Sequence, residues 1–129
     1  MKSEEELAAK LGMYEQHIRQ IQQQFQAVEE SIVELNSLDF GLDEIKNSVG
    51  KEILAPIGRG IFVKAELKSD DLTVNVGDKN FVGKSIPDTK KIIKEQMKRL
   101  NETREELEKR VDEIREEAKD LIIQSQAED

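Results

Sequence analysis

The stretch ILAPIGRGIFVKAEL (residues 53–67) decides the fold, because it separates two long charged segments by a different kind of sequence. It is rich in β-branched residues, which favour strands, and it contains one proline and two glycines. Its Gly-Arg-Gly sequence predicts a tight turn between strands at 53–57 and 61–67. Pro56 cannot donate a ladder hydrogen bond, so we expect its strand to lie at an edge or to be irregular there.

A second hairpin is predicted from strands at 72–76 and 80–86, joined by Gly77-Asp78-Lys79. Alternation places apolar residues on one face of each hairpin. Two hairpins this small are marginal in water, and their edges expose unpaired backbone groups. We therefore predict that strands from other chains complete the sheet. The predicted oligomerisation residues are Pro56, Gly58, Gly60, Ile61, Phe62, Val63, Ala65, Leu67, Leu72, Val74 and Val76.

The segment before the insert carries an apolar heptad repeat from Leu7 to Leu35, at alternating spacings of four and three. These positions form an apolar seam along one side of a helix. After Leu35 the repeat continues from Leu38, one step early, which predicts a local overwinding. The neighbouring pair Phe40-Gly41 marks a candidate bend.

The segment after the insert opens with Ile86-Pro87-Asp88, residue types that suit the first turn of a helix. Its seam runs from Ile93 to Leu121. Each seam spans 28 residue steps, or about 42 Å of helix, so we predict an antiparallel coiled-coil hairpin. The alternative, two amphipathic helices in an ordinary globule, fits less well because so many seam neighbours are charged.

Arg104 is the one charged residue in the second seam. We expect its stem to pack along the seam while its guanidinium reaches an acid on the facing helix. Such a pair fixes register at some cost in stability. A contact with a partner protein is the alternative role.

The length of 129 residues allows one domain. The predicted elements make it an α+β domain over residues 1–129, divided into a helix at 1–51, two hairpins at 52–86 and a helix at 87–129. The net charge of −8 disfavours nucleic acid as a partner. The chain has no cysteine, no apolar run long enough for a membrane span and no signal-peptide pattern. We expect a cytoplasmic protein without membrane contact.

No motif predicts enzyme chemistry, a metal site or a cofactor. Gly58-x-Gly60 lacks the third glycine and the following helix of a dinucleotide-binding loop. His17 has no clustered ligands and fits a solvated helix position. Acid pairs such as Glu105-Glu106 fit a solubilising helix face. We therefore expect no enzyme activity.

The layout of coiled coil, two β-hairpins and coiled coil resembles the α-type subunit of the prefoldin family. The sequence LAPIGRGIFVKA at 54–65 is similar to that family's first hairpin, with its Pro-x-Gly-x-Gly-x-Phe-Val-x-Ala pattern. VNVG at 74–77 and VGK at 82–84 resemble its second hairpin. Gly83 departs from the family pattern, which often has an acid there. The β-type subunits have one hairpin, so two hairpins indicate the α type.

The resemblance implies a hexamer of two α-type and four β-type prefoldin subunits, whose hairpins form a β-barrel platform with six projecting coiled coils. It further implies an ATP-independent chaperone that holds unfolded client proteins and delivers them to a group II chaperonin. Self-assembly into filaments, which some prefoldin-like chains show, is the alternative.

Apolar residues beyond what the seam requires occur at the far ends of the two helical segments. Ile122 and Ile123 follow seam residue Leu121 directly, and Met13 lies off the seam. Exposed aliphatic and Met side chains adapt to many apolar segments. The predicted client-binding residues at these coiled-coil tips are Leu7, Leu11, Met13, Leu121, Ile122 and Ile123. Stapling of the helix ends is their alternative role.

Overall fold

The computed structural model describes residues 4–127. In chain order the elements are α1 (Glu4–Lys46), β1 (Glu52–Gly58), β2 (Ile61–Glu66), β3 (Leu72–Asn75), β4 (Phe81–Lys84) and α2 (Ile86–Ala127). Two long helices therefore enclose two antiparallel hairpins, β1–β2 and β3–β4. This confirms the predicted α+β class. Residues 1–3 and 128–129 of the predicted domain lie outside the described residues.

The described residues form two compact units. The helical unit comprises residues 4–32 and 98–127, and the hairpin unit comprises residues 33–97. α1 and α2 each contribute to both units.

The helical unit buries the apolar seams of α1 and α2 against each other. Ile21, Ile32, Ile114 and Leu121 are buried, and Ile114 has no exposed surface. All four occupy the predicted seam positions. Arg104 also lies at a seam position and bonds to Glu29 of α1. Residues 11–18 lie beside 115–123 and residues 21–25 lie beside 107–115, so within this unit the two helices pair as an antiparallel hairpin.

The hairpin unit has a small core of Leu42, Ile86 and Ile93. Half-buried apolar residues from both helices and from one strand pack against it: Leu35, Ile45, Leu72 and Met97. Leu72 belongs to β3, so the second hairpin is partly covered within its own chain. Strands from other chains are therefore not needed to cover Leu72, although we predicted it as an oligomerisation residue.

The predicted phase slip does not begin at Leu38, although Ile45, which the slipped pattern places in the seam, packs against the core of the hairpin unit. Leu38 is 48% exposed, whereas Leu42 is buried in phase with the preceding heptads. Asp39 occupies the intervening seam position and forms an ion pair with Lys90 of α2. The sequence pattern was misleading because a charged residue fills a position that usually holds an apolar one. Helix α1 also runs without interruption through Phe40-Gly41 and ends at Lys46.

Ser85 caps the start of α2. Its hydroxyl accepts a hydrogen bond from the N–H of Asp88 at 3.2 Å, which satisfies one of the free donors of the first turn. Pro87 lies in that turn, as predicted. The prediction that the fourth strand extends to residue 86 is wrong, since β4 ends at Lys84 and Ile86 is a buried residue of α2. Ile86 is β-branched, but it follows the cap directly and therefore begins the helix instead of ending the strand.

Both hairpins turn on residues with positive φ. Arg59 and Gly60 have φ of 52° and 77° between β1 and β2, and Asp78 and Lys79 have φ of 48° and 62° between β3 and β4. Positive φ at both central residues is typical of type I′ turns, which match the twist of paired strands. The β1–β2 register shifts between Pro56 and Gly58, confirming the predicted irregularity at the proline.

Candidate functional site

Large apolar side chains lie exposed along both hairpins. We call this set the hairpin surface; its members are Leu54, Ile57, Ile61, Phe62, Val63, Val76, Phe81 and Val82. So much exposed apolar area on two-stranded sheets marks an interaction surface. The free edges of each two-stranded sheet add unpaired backbone donors and acceptors.

The first hairpin is apolar on both faces. Directly paired residues of an antiparallel sheet share a face, and the pair Ala55–Val63 therefore lies on one face while Pro56–Phe62 lies on the other. Leu54 joins Pro56 on the second face by alternation. Leu54 was not predicted, because the alternation pattern placed apolar residues on one face of the hairpin only.

The second hairpin divides its apolar residues unevenly. Val74 pairs with Val82 on the face that includes Leu72, and this face is half-buried or only partly exposed. Phe81 lies on the opposite face, paired with Asn75, and is exposed. Phe81 was not among the predicted oligomerisation residues, although a lone aromatic at the start of a strand was a usable signal.

The predicted oligomerisation residues fall into two groups. Pro56, Gly58, Gly60, Ile61, Phe62, Val63 and Val76 are exposed. Ala65, Leu67, Leu72 and Val74 are half-buried, and Leu72 packs against the helical core of its own unit. The first group is available to another chain, whereas Leu72 is already engaged.

A groove lies between the first part of α1 and the last part of α2, within the helical unit. We call it the helix-end groove; it has a volume of about 410 Å³ and is lined by Leu11, Tyr14, Glu15, Ile18, Arg115, Ala118, Lys119, Ile122 and Ile123. Six of these nine residues are apolar or aromatic, and the charged ones include two cations on α2. The groove can accept an apolar segment along one side of the helix pair.

The structure separates the six predicted client-binding residues. Leu11, Ile122 and Ile123 line the helix-end groove. Leu121 is buried and Leu7 is half-buried, so both contribute to the seam. Met13 is 70% exposed but does not line the groove.

A second groove extends along the same helix pair. It is lined by Ile21, Gln22, Phe25, Leu107, Glu108, Val111, Asp112 and Arg115. Arg115 lines both grooves. This groove was not predicted, because its apolar lining consists of seam residues that the heptad pattern assigns to the helix interface.

Two basic residues of α2 pair with acids of α1. Arg104 lies within the predicted seam, and Lys90 lies three positions before its first residue, Ile93, in the same heptad phase. Arg104 donates from Nη1 to Glu29 Oε1 at 3.0 Å and from Nη2 to Asn101 Oδ1 at 2.9 Å. This confirms the structural role predicted for Arg104. Lys90 Nζ lies 2.5 Å from Asp43 Oδ1 and 3.3 Å from Asp39 Oδ1. The hydrogen bond to Asp43, aided by Asp39, raises the pKa of Lys90 above its usual 10.5 despite partial desolvation.

The described residues contain no cluster of three or more histidines and carboxylates that could hold a metal ion. Over residues 4–127, neither helix has a stretch sufficiently long and apolar to span a bilayer. His17 is exposed on α1, and Glu105 and Glu106 are exposed on α2.

A family model of the prefoldin subunit matches residues 14–128. The chain belongs to the prefoldin family. Curated relatives described as prefoldin subunit alpha support the α type. The protein of Methanosphaera stadtmanae is 32% identical over 89 residues, which cover 69% of this chain and 64% of that protein. The protein of Thermofilum pendens is 31% identical over 107 residues, which cover 79% of this chain and 83% of that protein.

Among solved prefoldin structures, that of the filamentous prefoldin of Methanocaldococcus jannaschii superposes with a TM-score of 0.80 at 24% identity. The superposition covers 91% of this chain and 98% of that one, which supports the helix, hairpin and helix layout. Prefoldin is a chaperone family, so membership supports a chaperone-type subunit.

Proposed function

We propose that this chain is the α-type subunit of an ATP-independent holdase, which captures unfolded proteins at its helix ends. The observation that carries the proposal is the helix-end groove, where Leu11, Ile122 and Ile123 leave apolar surface open on a prefoldin fold. A stable two-helix seam does not require Ile122 and Ile123 to be apolar, because Leu121 already fills the seam position.

The hairpin surface serves assembly in this proposal. Its partners are β-type prefoldin subunits, in a hexamer of two α-type and four β-type chains whose hairpins form a β-barrel. The exposed apolar side chains, among them Phe62, Val63 and Phe81, would be buried there. The free sheet edges would gain ladder hydrogen bonds from neighbouring strands.

Client capture rests on many weak contacts. Aliphatic side chains in an open groove adapt to different apolar segments and give no single tight site. Several coiled coils that grip one chain raise its overall affinity through effective concentration. Release to a group II chaperonin in the cytoplasm completes the proposed cycle, with no nucleotide involved.

The test measures how well the assembled particle suppresses aggregation of a denatured test protein. The double variant Ile122→Ser with Ile123→Ser removes apolar groove surface, and Met13→Ser is the matched control outside the groove. We expect the double variant to lose suppression while Met13→Ser retains it. Unchanged suppression by the double variant, with helicity and particle mass preserved, would exclude the groove as the client site.

A second candidate function is a structural subunit that assembles with itself into filaments. The observation that favours it is the likeness to the filamentous Methanocaldococcus jannaschii structure. Electron microscopy of the purified chain without any partner distinguishes the two functions. Long fibres would favour the filament, whereas their absence and a discrete particle formed with a β-type subunit would favour the holdase.

A further inference from the structure

The basic seam residues of α2 and their acids on α1 share one spacing. Lys90 pairs with Asp43, and Arg104 pairs with Glu29. The two basic residues are 14 positions apart in the sequence, and so are the two acids. In an antiparallel helix pair, equal spacing on both helices lets both ion pairs form in the same register.

We propose that these two ion pairs, which we call the ion-pair layers, select the register in which α1 and α2 pair. The apolar seam alone does not select it, because an apolar pattern that repeats every seven residues packs almost as well after a slip of one heptad. A charged seam residue is different, since a slip leaves it partly buried without its counter-charge. The 14-residue spacing therefore distinguishes registers that the seven-residue repeat leaves equivalent.

A slip of one heptad breaks both layers, whichever way it goes. In one direction Lys90 would face Asn36 and Arg104 would face Gln22; in the other direction they would face Gly50 and Asn36. None of these three residues carries a charge. The uncharged residues at 22 and 36 alternate with acids at 29 and 43, so the acids recur only every second heptad.

Only a slip of two heptads restores both pairs, with Lys90 facing Glu29 and Arg104 facing Glu15. That slip would leave about 21 Å of each helix unpaired and would expose the apolar seam there. A slip of even one heptad would displace the walls of the helix-end groove by about 10 Å. The residues of the two ion pairs therefore act as positioning residues, because they fix where the walls of that groove lie, whatever the groove binds.

The register can be measured in the full chain, which has no cysteine of its own. Spin labels on Ala27→Cys and Glu116→Cys lie on exposed positions of the two helices. A slip of one heptad changes the separation of the labels along the helices by about 10 Å. Electron–electron double resonance resolves such a change as a second distance.

The test variant removes the acids that face the basic seam residues, by Glu29→Gln, Asp39→Asn and Asp43→Asn. The matched control removes three exposed acids of α1 that face no basic seam residue, by Glu30→Gln, Glu34→Gln and Glu44→Gln. We expect one distance in the wild type and in the control. The test variant should show a second distance with a population of roughly a tenth or more, because each partly exposed ion pair favours its register up to about fivefold.

A redesigned variant makes the test decisive. Adding Gln22→Glu and Asn36→Asp to the test variant moves the acids by one heptad, and the slipped register should then predominate. A single native distance in both the test and redesigned variants would overturn the proposal. Loss of helicity in the test variant but not in the control would also overturn it, since the layers would then hold the helices together and not select their register. Neither outcome bears on client binding.

Discussion

Ile114 is the most informative position for the stability of the helical unit, because its side chain has no exposed surface. Ile114→Ala removes three buried carbons. At about 0.8 kcal/mol for each, the lost transfer free energy is roughly 2.4 kcal/mol, and the residual cavity adds to this. Large-to-small changes of this kind cost about 2–5 kcal/mol. Two helices can close partly around the gap, so we expect about 3 kcal/mol.

The assay is urea unfolding followed by helical circular dichroism, at one fixed protein concentration because assembly links stability to concentration. Met13→Ala is the control in the same unit, since Met13 is exposed and should change the unfolding free energy by less than about 0.5 kcal/mol. Equal losses in the two variants would refute the reasoning, because the helical unit would then not depend on a packed seam.

Three further outcomes follow from the described contacts. Ser85→Ala should lower the unfolding free energy by about 1 kcal/mol through loss of the α2 cap, as measured by the same urea titration. Val63→Asp, which places a charge on an exposed residue of the hairpin surface, should release subunits in light scattering, whereas Ser69→Asp, which adds the same charge at an exposed position between β2 and β3, should release fewer. Because folding raises the pKa of Lys90, its pairing stabilises the fold below about pH 10.5 and that contribution is lost as the pH rises through the raised pKa. The difference in melting temperature between wild type and Lys90→Gln should therefore be constant near neutral pH and shrink in strong alkali.

The sequence was sufficient for the elements whose signals are local and repeated. Heptad spacing predicted both long helices, and the turn sequences predicted both hairpins. An acid on the facing helix was also predicted as the partner of Arg104, although not which acid, because a charged seam residue needs a counter-charge. The errors arose where two local rules compete. Ile86 continues a β-rich stretch but follows a helix cap, and Leu38 offers an apolar alternative to Asp39, which tertiary pairing with Lys90 places in the seam.

The candidate surfaces were predictable only in part, since they depend on which residues the fold leaves exposed. Ile122 and Ile123 were found because consecutive apolar residues exceed what a seam can bury. Met13 met the same criterion, yet its helical position places it outside the groove. Leu72 had the pattern of an assembly residue, but it packs on a helical core that only the tertiary structure brings together.

The central claim, that the hairpins assemble this chain into a client-holding particle, is tested most directly by its assembly with a partner. The chain is mixed with a β-type prefoldin subunit, and the particles are imaged and weighed by electron microscopy and light scattering. We predict a discrete hexamer with six projecting coiled coils. A folded chain that remains monomeric at micromolar concentration, alone and in the mixture, would contradict the account.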